Sequence, residues 1–86
     1  NFVFQNKISV AGQTQQQKLQ AIQNLLNQGY YVVAEVKGST GEHWVAIDGI
    51  DGDRVLMMDP GSQSTDMWSQ YNWQNTSQLA YFQVTA

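Results

Sequence analysis

His43 is the only histidine in this 86-residue sequence. It lies near the start of one strand-like run, and Asp59 lies at the end of the next. Imidazole is the side chain best suited to exchanging protons near neutral pH. A carboxylate beside it would accept a hydrogen bond from one ring nitrogen, fix the tautomer and leave the other nitrogen to act as a base. His43 and Asp59 therefore have the chemistry of a general base and its orienting group, without a nucleophile.

The hairpin between these residues decides whether they meet. A three-residue loop closed by Gly52 would place His43 directly opposite Asp59 in an antiparallel ladder. A two-residue turn, Asp51-Gly52, would shift the register by one and place Trp44 opposite Asp59 instead. We favour the first register because it matches more side chains across the strands. Its expected pairs are Gly49 with Asp53, Ile47 with Val55, Val45 with Met57, and Asp48 with Arg54 across the other face.

The strand before this hairpin extends the same argument. If Lys37 pairs with Glu42, Val36 lies beside His43 and continues the apolar face of the sheet. His43 and Asp59 would then form the polar end of an otherwise apolar surface.

Other interpretations of these residues stay open. His43 and Asp59 could be a polar pair that satisfies a strand end. The carboxylates of Asp48, Asp51 and Asp53 lack the spacing of a calcium loop, and one imidazole is too few for a zinc site, so no metal is predicted. Four aromatic residues could form a platform for a sugar or a peptide, or could complete a small core. These are Trp44, Trp68, Tyr71 and Trp73.

The elements that would position these residues can be read from periodicity. Thr14 and Gln17 have the spacing of a capping box, and apolar residues then recur at helical intervals, which predicts an amphipathic helix over 15–28 closed by Gly29. Five runs read as strands or extended segments: 2–10, 30–37, 42–49, 53–59 and 79–84. The pattern indicates one α+β domain over residues 1–86, with an antiparallel sheet of about four to five strands and one packed helix.

Composition excludes several classes of function. The net charge of -3 and pI of about 4.6 exclude nucleic acid and anionic membrane surfaces as probable partners. Apolar runs are far short of the ~20 residues that span a bilayer, so no membrane insertion is expected. The chain has no cysteine, which excludes a disulfide, a thiolate metal cluster or a cysteine nucleophile within it. No cofactor is predicted. Beginning at Asn1 without a signal pattern, the sequence is expected to be a processed product or an excised piece.

The run G-E-H-W-V-A-I-D-G-I-D-G-D over 41–53, followed by V-L-M-M-D-P-G-S over 55–62, resembles papain-like cysteine peptidases of the bacteriocin-processing type. These enzymes cleave leader peptides after a double glycine. The resemblance covers about residues 14–62 and implies that His43 is the general base and Asp59 its orienting group. Trp44 is the expected substrate contact. The secreted relatives of these peptidases imply an extracellular or cell-surface location.

One departure from that family limits the expected activity. The family's nucleophilic Cys, and the Gln before it, lie in an N-terminal lobe, for which the 42 residues before His43 are too few. The sequence thus resembles the C-terminal, His- and Asp-bearing lobe alone. Its expected partners are an upstream Cys-bearing segment or chain and a peptide substrate, and the lobe by itself is expected to be inactive. The alternative is a nucleophile-free module that binds peptides or wall-associated glycans.

Overall fold

The chain folds into a single twisted layer of strands with helices on one side; the structure, a computed structural model, describes residues 1–58 and 65–85. The helical elements are α1 (Gln15–Asn27), α2 (Met67–Gln70) and a 3₁₀ turn (Trp73–Asn75). The strands are β1 (Phe2–Ser9), β2 (Tyr31–Gly38), β3 (Gly41–Asp51), β4 (Arg54–Met57), β5 (Thr65–Asp66) and β6 (Gln78–Val84).

All neighbouring strands in the sheet are antiparallel, in the order β1-β6-β2-β3-β4-β5. The predicted α+β class is confirmed, with six strands where four to five were expected. The additional strand is β5, whose two residues are too few to show an alternating pattern. The last strand, β6, lies between β1 and β2, so the first and last segments of the chain support each other.

Helix α1 begins with the predicted capping box. Thr14 Oγ1 accepts a hydrogen bond from the Gln17 amide at 3.1 Å, and Gln17 Oε1 accepts one from the Thr14 amide at 2.9 Å. Two of the amides that a helix leaves unpaired at its start are thereby satisfied. Gly29 follows the helix with φ of 86°, the left-handed conformation that ends a helix and that glycine adopts without strain.

The core lies between α1 and one face of the sheet. Strand β2 alternates strictly, and its buried residues Val32, Ala34 and Val36 face the helix. The rest of the buried cluster comes from α1, the other strands, α2 and the segment after β1. These residues are Val10, Ile22, Leu25, Ile47, Val55, Met57, Met67 and Leu79. This face, here called the helix face, also carries His43, because His43 pairs with Val36 across the ladder.

The β2–β3 register agrees with the expected one. Lys37 pairs with Glu42, which was the condition for placing Val36 beside His43, and Val36 does pair with His43. Gly38 pairs with Gly41 at the end of the ladder, so two pairs separate His43 from the turn that joins the two strands.

Both expected registers for β3 and β4 are wrong. Asp51 pairs with Arg54 around a two-residue Gly52-Asp53 turn. Gly52 has φ of 65°, as a type II′ turn requires at its first central position. Arg54 consequently lies opposite Asp51 and not opposite Asp48. It forms ion pairs with the carboxylates of Asp51 at 3.8 Å and Asp66 at 3.5 Å.

A β-bulge in β3 keeps the apolar residues of β3 and β4 on the core side of the sheet despite this shift in register. The register changes between Ile47 and Gly49, so that Ile47 pairs with Met57 while Ile50 pairs with Val55. An extra residue in one strand reverses its alternation. The expected apolar set therefore still lies in or against the core, although its partners across the ladder differ.

The two ends of the described chain are joined by hydrogen bonds. The Asn1 amino group donates to the Thr85 carbonyl at 3.1 Å, and the Thr85 amide donates to the Asn1 carbonyl at 2.8 Å. Among the described residues, no helix has the length and apolar character to cross a bilayer.

Candidate functional site

His43 is the third residue of β3, and its side chain is half-buried on the helix face. The ring of Tyr71, the residue after α2, approaches the imidazole edge to face, with ring centroids 5.7 Å apart and planes at 63°. This contact covers one side of the imidazole, and part of the ring remains exposed at the surface. A histidine in this position can exchange protons with a bound molecule.

A shallow groove of about 470 Å³ runs along the imidazole. Its lining, here called the His43 groove, combines the end of the β2–β3 hairpin with the segment after α2. The lining residues are Lys37, Gly38, Ser39, His43, Gln70, Tyr71, Asn72 and Asn75. Three carboxamides and two hydroxyls contribute to this lining, so it offers both donors and acceptors of hydrogen bonds. Its described lining includes no carboxylate.

Gly38 permits the close approach of the imidazole to the main chain. A Cβ built on Gly38 would collide with Nε2 of His43 and lie 3.3 Å from its Cε1. The backbone of Gly38 has no positive φ, so the glycine is needed here for space and not for conformation. The tip of the imidazole therefore rests where any other residue would place a side chain.

The wall opposite His43 is held by short polar contacts. Asp66 caps α2 by accepting a hydrogen bond from the Trp68 amide at 3.1 Å. The indole Nε1 of Trp68 donates to Thr76 Oγ1 at 3.0 Å, which joins α2 to the end of the 3₁₀ turn. Asn72 caps that turn by accepting from the Gln74 amide at 2.9 Å. Tyr71 and the two asparagines of the lining are carried between these anchored points.

Of the three predicted site residues, the structure describes His43 and Trp44 but not Asp59. His43 lies at a groove, as a candidate base should. Asp59 lies outside the described residues, so its role as the orienting group stays a prediction. Trp44 is 44% exposed, but it pairs with Glu35 and points away from the helix face. The structure does not bring Trp44 into the His43 groove, and its substrate contact stays a prediction.

Of the two roles left open for the four aromatic residues, the structure favours completion of the core for most of them. Trp68 and Tyr71 pack against the core, and Trp73 is half-buried beside α1. Sequence reasoning missed Gly38, Asn72 and Asn75 as groove residues. Only Asn72 carried a signal, since Asn is a frequent cap before a helical turn.

Within residues 1–58 and 65–85, no group of three or more His, Asp or Glu side chains converges as a metal site would require.

Comparisons with known proteins give a family match and no match to an individual protein or structure. No curated protein and no solved structure matches the chain. A family match extends over residues 3–85, from the first strand to the last, and its description is Peptidase_C39 like family. It covers nearly the whole sequence, including the His43 strand and every described element. The chain therefore belongs to the Peptidase_C39 like family and is related to peptidases of that type.

Proposed function

We propose that this chain supplies the general base of a cysteine-type peptidase site, with His43 as the base and Asp59 as its orienting group. The nucleophilic thiol would come from an upstream segment or a second chain, since this sequence has no cysteine. In this proposal the chain corresponds to the C-terminal lobe of a peptidase of the bacteriocin-processing type. The observation that carries it is the half-exposed imidazole at the wall of the His43 groove, in a member of a peptidase-like family.

The proposed reaction needs one proton carrier on this lobe. His43 would take the proton of the thiol, and the thiolate sulfur would attack the carbonyl carbon of the peptide bond. As the carbon–nitrogen bond breaks, the imidazolium would return that proton to the leaving amine. His43 would then take a proton from water, whose oxygen cleaves the thioester and releases the acid and the thiol.

The groove is suited to an extended peptide. Main-chain amides and carbonyls of a substrate need partners when they leave water. Gln70, Asn72 and Asn75 carry carboxamides that both donate and accept, and Ser39 adds a hydroxyl. These groups support a peptide as the ligand.

The orienting role of Asp59 can be tested on the isolated chain, because its one histidine gives an unambiguous NMR signal. Removing the carboxylate in Asp59→Asn should change the ring-nitrogen chemical shifts of His43, since the carboxylate would accept a hydrogen bond from one ring nitrogen and fix the tautomer. The measurement is an NMR spectrum of the His43 ring nitrogens and protons at one pH. Asp53→Asn, which removes an exposed carboxylate at the far end of the hairpin, is the matched control. Unchanged His43 ring signals in Asp59→Asn would remove Asp59 from the site.

The thiol is tested on the full gene product. A thiol-reactive probe should label one cysteine, and His43→Ala should slow this labelling about 10²-fold, in line with the loss of a general base. Equal labelling rates in the two proteins, or no cysteine within reach of His43, would contradict the peptidase proposal.

A second candidate function is a nucleophile-free peptide-binding module. The absence of a thiol in this sequence, together with a groove lined by carboxamides, favours it over a glycan platform, because three of the four platform aromatics are at least partly built into the fold. Titration of the isolated chain with peptides should then shift the His43 signals. Binding that is lost in Trp44→Ala would place a second contact on the other face of the sheet. No binding at millimolar peptide would exclude this function.

A further inference from the structure

Lys18 is a buried cation on the inner face of α1. It lies four residues before Ile22 and seven before Leu25, so it belongs to the stripe that packs on the sheet, and only 1% of its surface is exposed. A buried ammonium group is costly unless polar partners replace its hydration. Burial lowers the pKa of Lys18 for the same reason.

The partners of this ammonium are three main-chain carbonyls from one short segment. Lys18 Nζ donates to the carbonyl oxygens of Thr76 at 2.6 Å, Trp73 at 3.0 Å and Gln74 at 3.3 Å. It also lies 5.5 Å from the centroid of the Trp73 ring, within the range of a cation–π contact. An ammonium has three donors, and each one has a carbonyl here. The Trp73 carbonyl also accepts the Thr76 amide that closes the 3₁₀ turn, at 3.1 Å, so the ammonium adds to the turn's own hydrogen bond and stabilises this conformation of the segment.

The segment that Lys18 holds also forms the groove wall. Asn72 precedes the residues whose carbonyls contact the ammonium, Asn75 lies between two of them, and both asparagines line the His43 groove. Thr76, the residue with the shortest contact, also accepts the Trp68 indole hydrogen bond. The ammonium therefore connects α1 to the wall that faces the imidazole.

We propose that Lys18 is a positioning residue of the His43 groove: its ammonium fixes the 72–76 segment and thereby places the carboxamides of Asn72 and Asn75 opposite the imidazole. The use of this groove as a ligand site rests on the proposed function, but the role of Lys18 concerns only the geometry of the groove. A groove that only binds peptide would need the same support. The inference about Lys18 would therefore survive failure of the peptidase proposal. Its test measures NMR signals and does not depend on enzymatic activity.

The test compares NMR spectra of isotope-labelled variants. Lys18→Met keeps most of the aliphatic stem and removes all three donors, while Lys18→Arg keeps the charge and donors. We expect Lys18→Met to retain the amide signals of β2 and β6 but to shift the side-chain amide signals of Asn72 and Asn75 and the ring signals of His43. Lys18→Arg should restore them at least in part. Wild-type groove signals in a folded Lys18→Met variant would overturn the proposal.

A matched control separates positioning from general loss of stability. Ile22→Val removes one methylene from the apolar cluster on the same face of α1 and leaves the three hydrogen-bond donors of Lys18 in place. Its groove signals should remain those of the wild type. Groove signals that shift equally in Ile22→Val and Lys18→Met would reduce Lys18 to an ordinary core residue.

A measurement on the unaltered chain covers the case in which Lys18→Met does not fold. The Nζ protons of Lys18 should exchange with water about tenfold or more slowly than those of Lys7, an exposed lysine on β1. Its Cε protons should show nuclear Overhauser effects to the Trp73 ring. Exchange as fast as that of Lys7, without those effects, would contradict the proposal.

Discussion

At the scale of single residues, the position of His43 depends on a missing side chain. The imidazole fills the space where a Cβ on Gly38 would lie, and Tyr71 closes its other side. A histidine side chain has few torsions, so two fixed neighbours are enough to restrict its ring. The geometry of the candidate base is thus determined by a glycine two residues beyond its partner in the ladder.

This gives a prediction for Gly38→Ala. The backbone conformation suits alanine, so the free energy of unfolding should change by less than about 1 kcal/mol. The imidazole, however, must rotate away from the new methyl group. NMR should show the His43 ring protons losing the ring-current shift caused by Tyr71.

Gly49→Ala is the matched control for that experiment. Gly49 lies on β3, the strand of His43, and a Cβ on Gly49 would have no other atom within 4 Å. Its His43 signals should be those of the wild type. If Gly38→Ala also leaves them unchanged, Gly38 does not position the ring.

At the scale of elements, the start of α1 supports both the core and the groove. The first helical hydrogen bond runs from the Lys18 amide to the Thr14 carbonyl at 3.0 Å, directly behind the capping box. Thr14→Ala removes the side-chain acceptor for the Gln17 amide and should cost about 1 kcal/mol in unfolding free energy. Chemical denaturation measures this change through the midpoint.

Serine provides the control for the cap. Thr14→Ser keeps the hydroxyl acceptor, so its midpoint should stay close to that of the wild type. Equal destabilisation by alanine and serine would mean that the methyl group, and not the hydrogen bond, stabilises this end of α1.

The elements also show what could be predicted from the sequence. The capping box, Gly29 and the β2–β3 ladder follow from local rules, because each depends on residues close together in the chain. The β3–β4 register does not follow from local rules. Gly52 can occupy more than one position in a turn, and the bulge after Ile47 changes which residues of β3 face the core. Lys18 was not singled out from the sequence, because its carbonyl partners lie more than fifty residues away in the chain.

The candidate site divides in the same way. The residue type and sequence context of His43 identified it as the candidate base. The groove around it depends on the fold, since Gly38 reaches the imidazole across a ladder and Tyr71 reaches it from a segment after β5. Neither contact follows from a motif.

At the scale of the whole molecule, Glu35 links the central strand β2 to β6 on the face opposite α1. Its carboxylate accepts hydrogen bonds from Ser77 Oγ at 2.8 Å and Gln78 Nε2 at 3.0 Å. The Ser77 hydrogen bond, supported by that from Gln78 and by the charge of Lys7, lowers the pKa of Glu35 against the opposing effect of burial.

The lowered pKa predicts a pH dependence of stability. The unfolded chain binds this proton more readily than the folded chain, so the contribution of Glu35 is complete above its ordinary value of 4.5 and is lost as pH falls through the folded pKa. Glu35→Gln should therefore flatten the fall in unfolding free energy below about pH 4.5. Denaturant titrations across that range measure it, with Asp53→Asn as the exposed control. An equally steep fall in Glu35→Gln would assign the acid sensitivity to other groups.

The hydrogen bonds between Asn1 and Thr85 have a consequence for engineering. Neighbouring strands in a sheet lie about 4.8 Å apart, so the two ends of the described chain leave the sheet at almost the same point. A short glycine linker could join them, and the chain could be reopened at the Gly52-Asp53 turn, at the opposite end of β3 from His43. The same proximity suits the domain to insertion into a surface loop of a host protein, since it would separate the two sides of that loop by little more than a hairpin does.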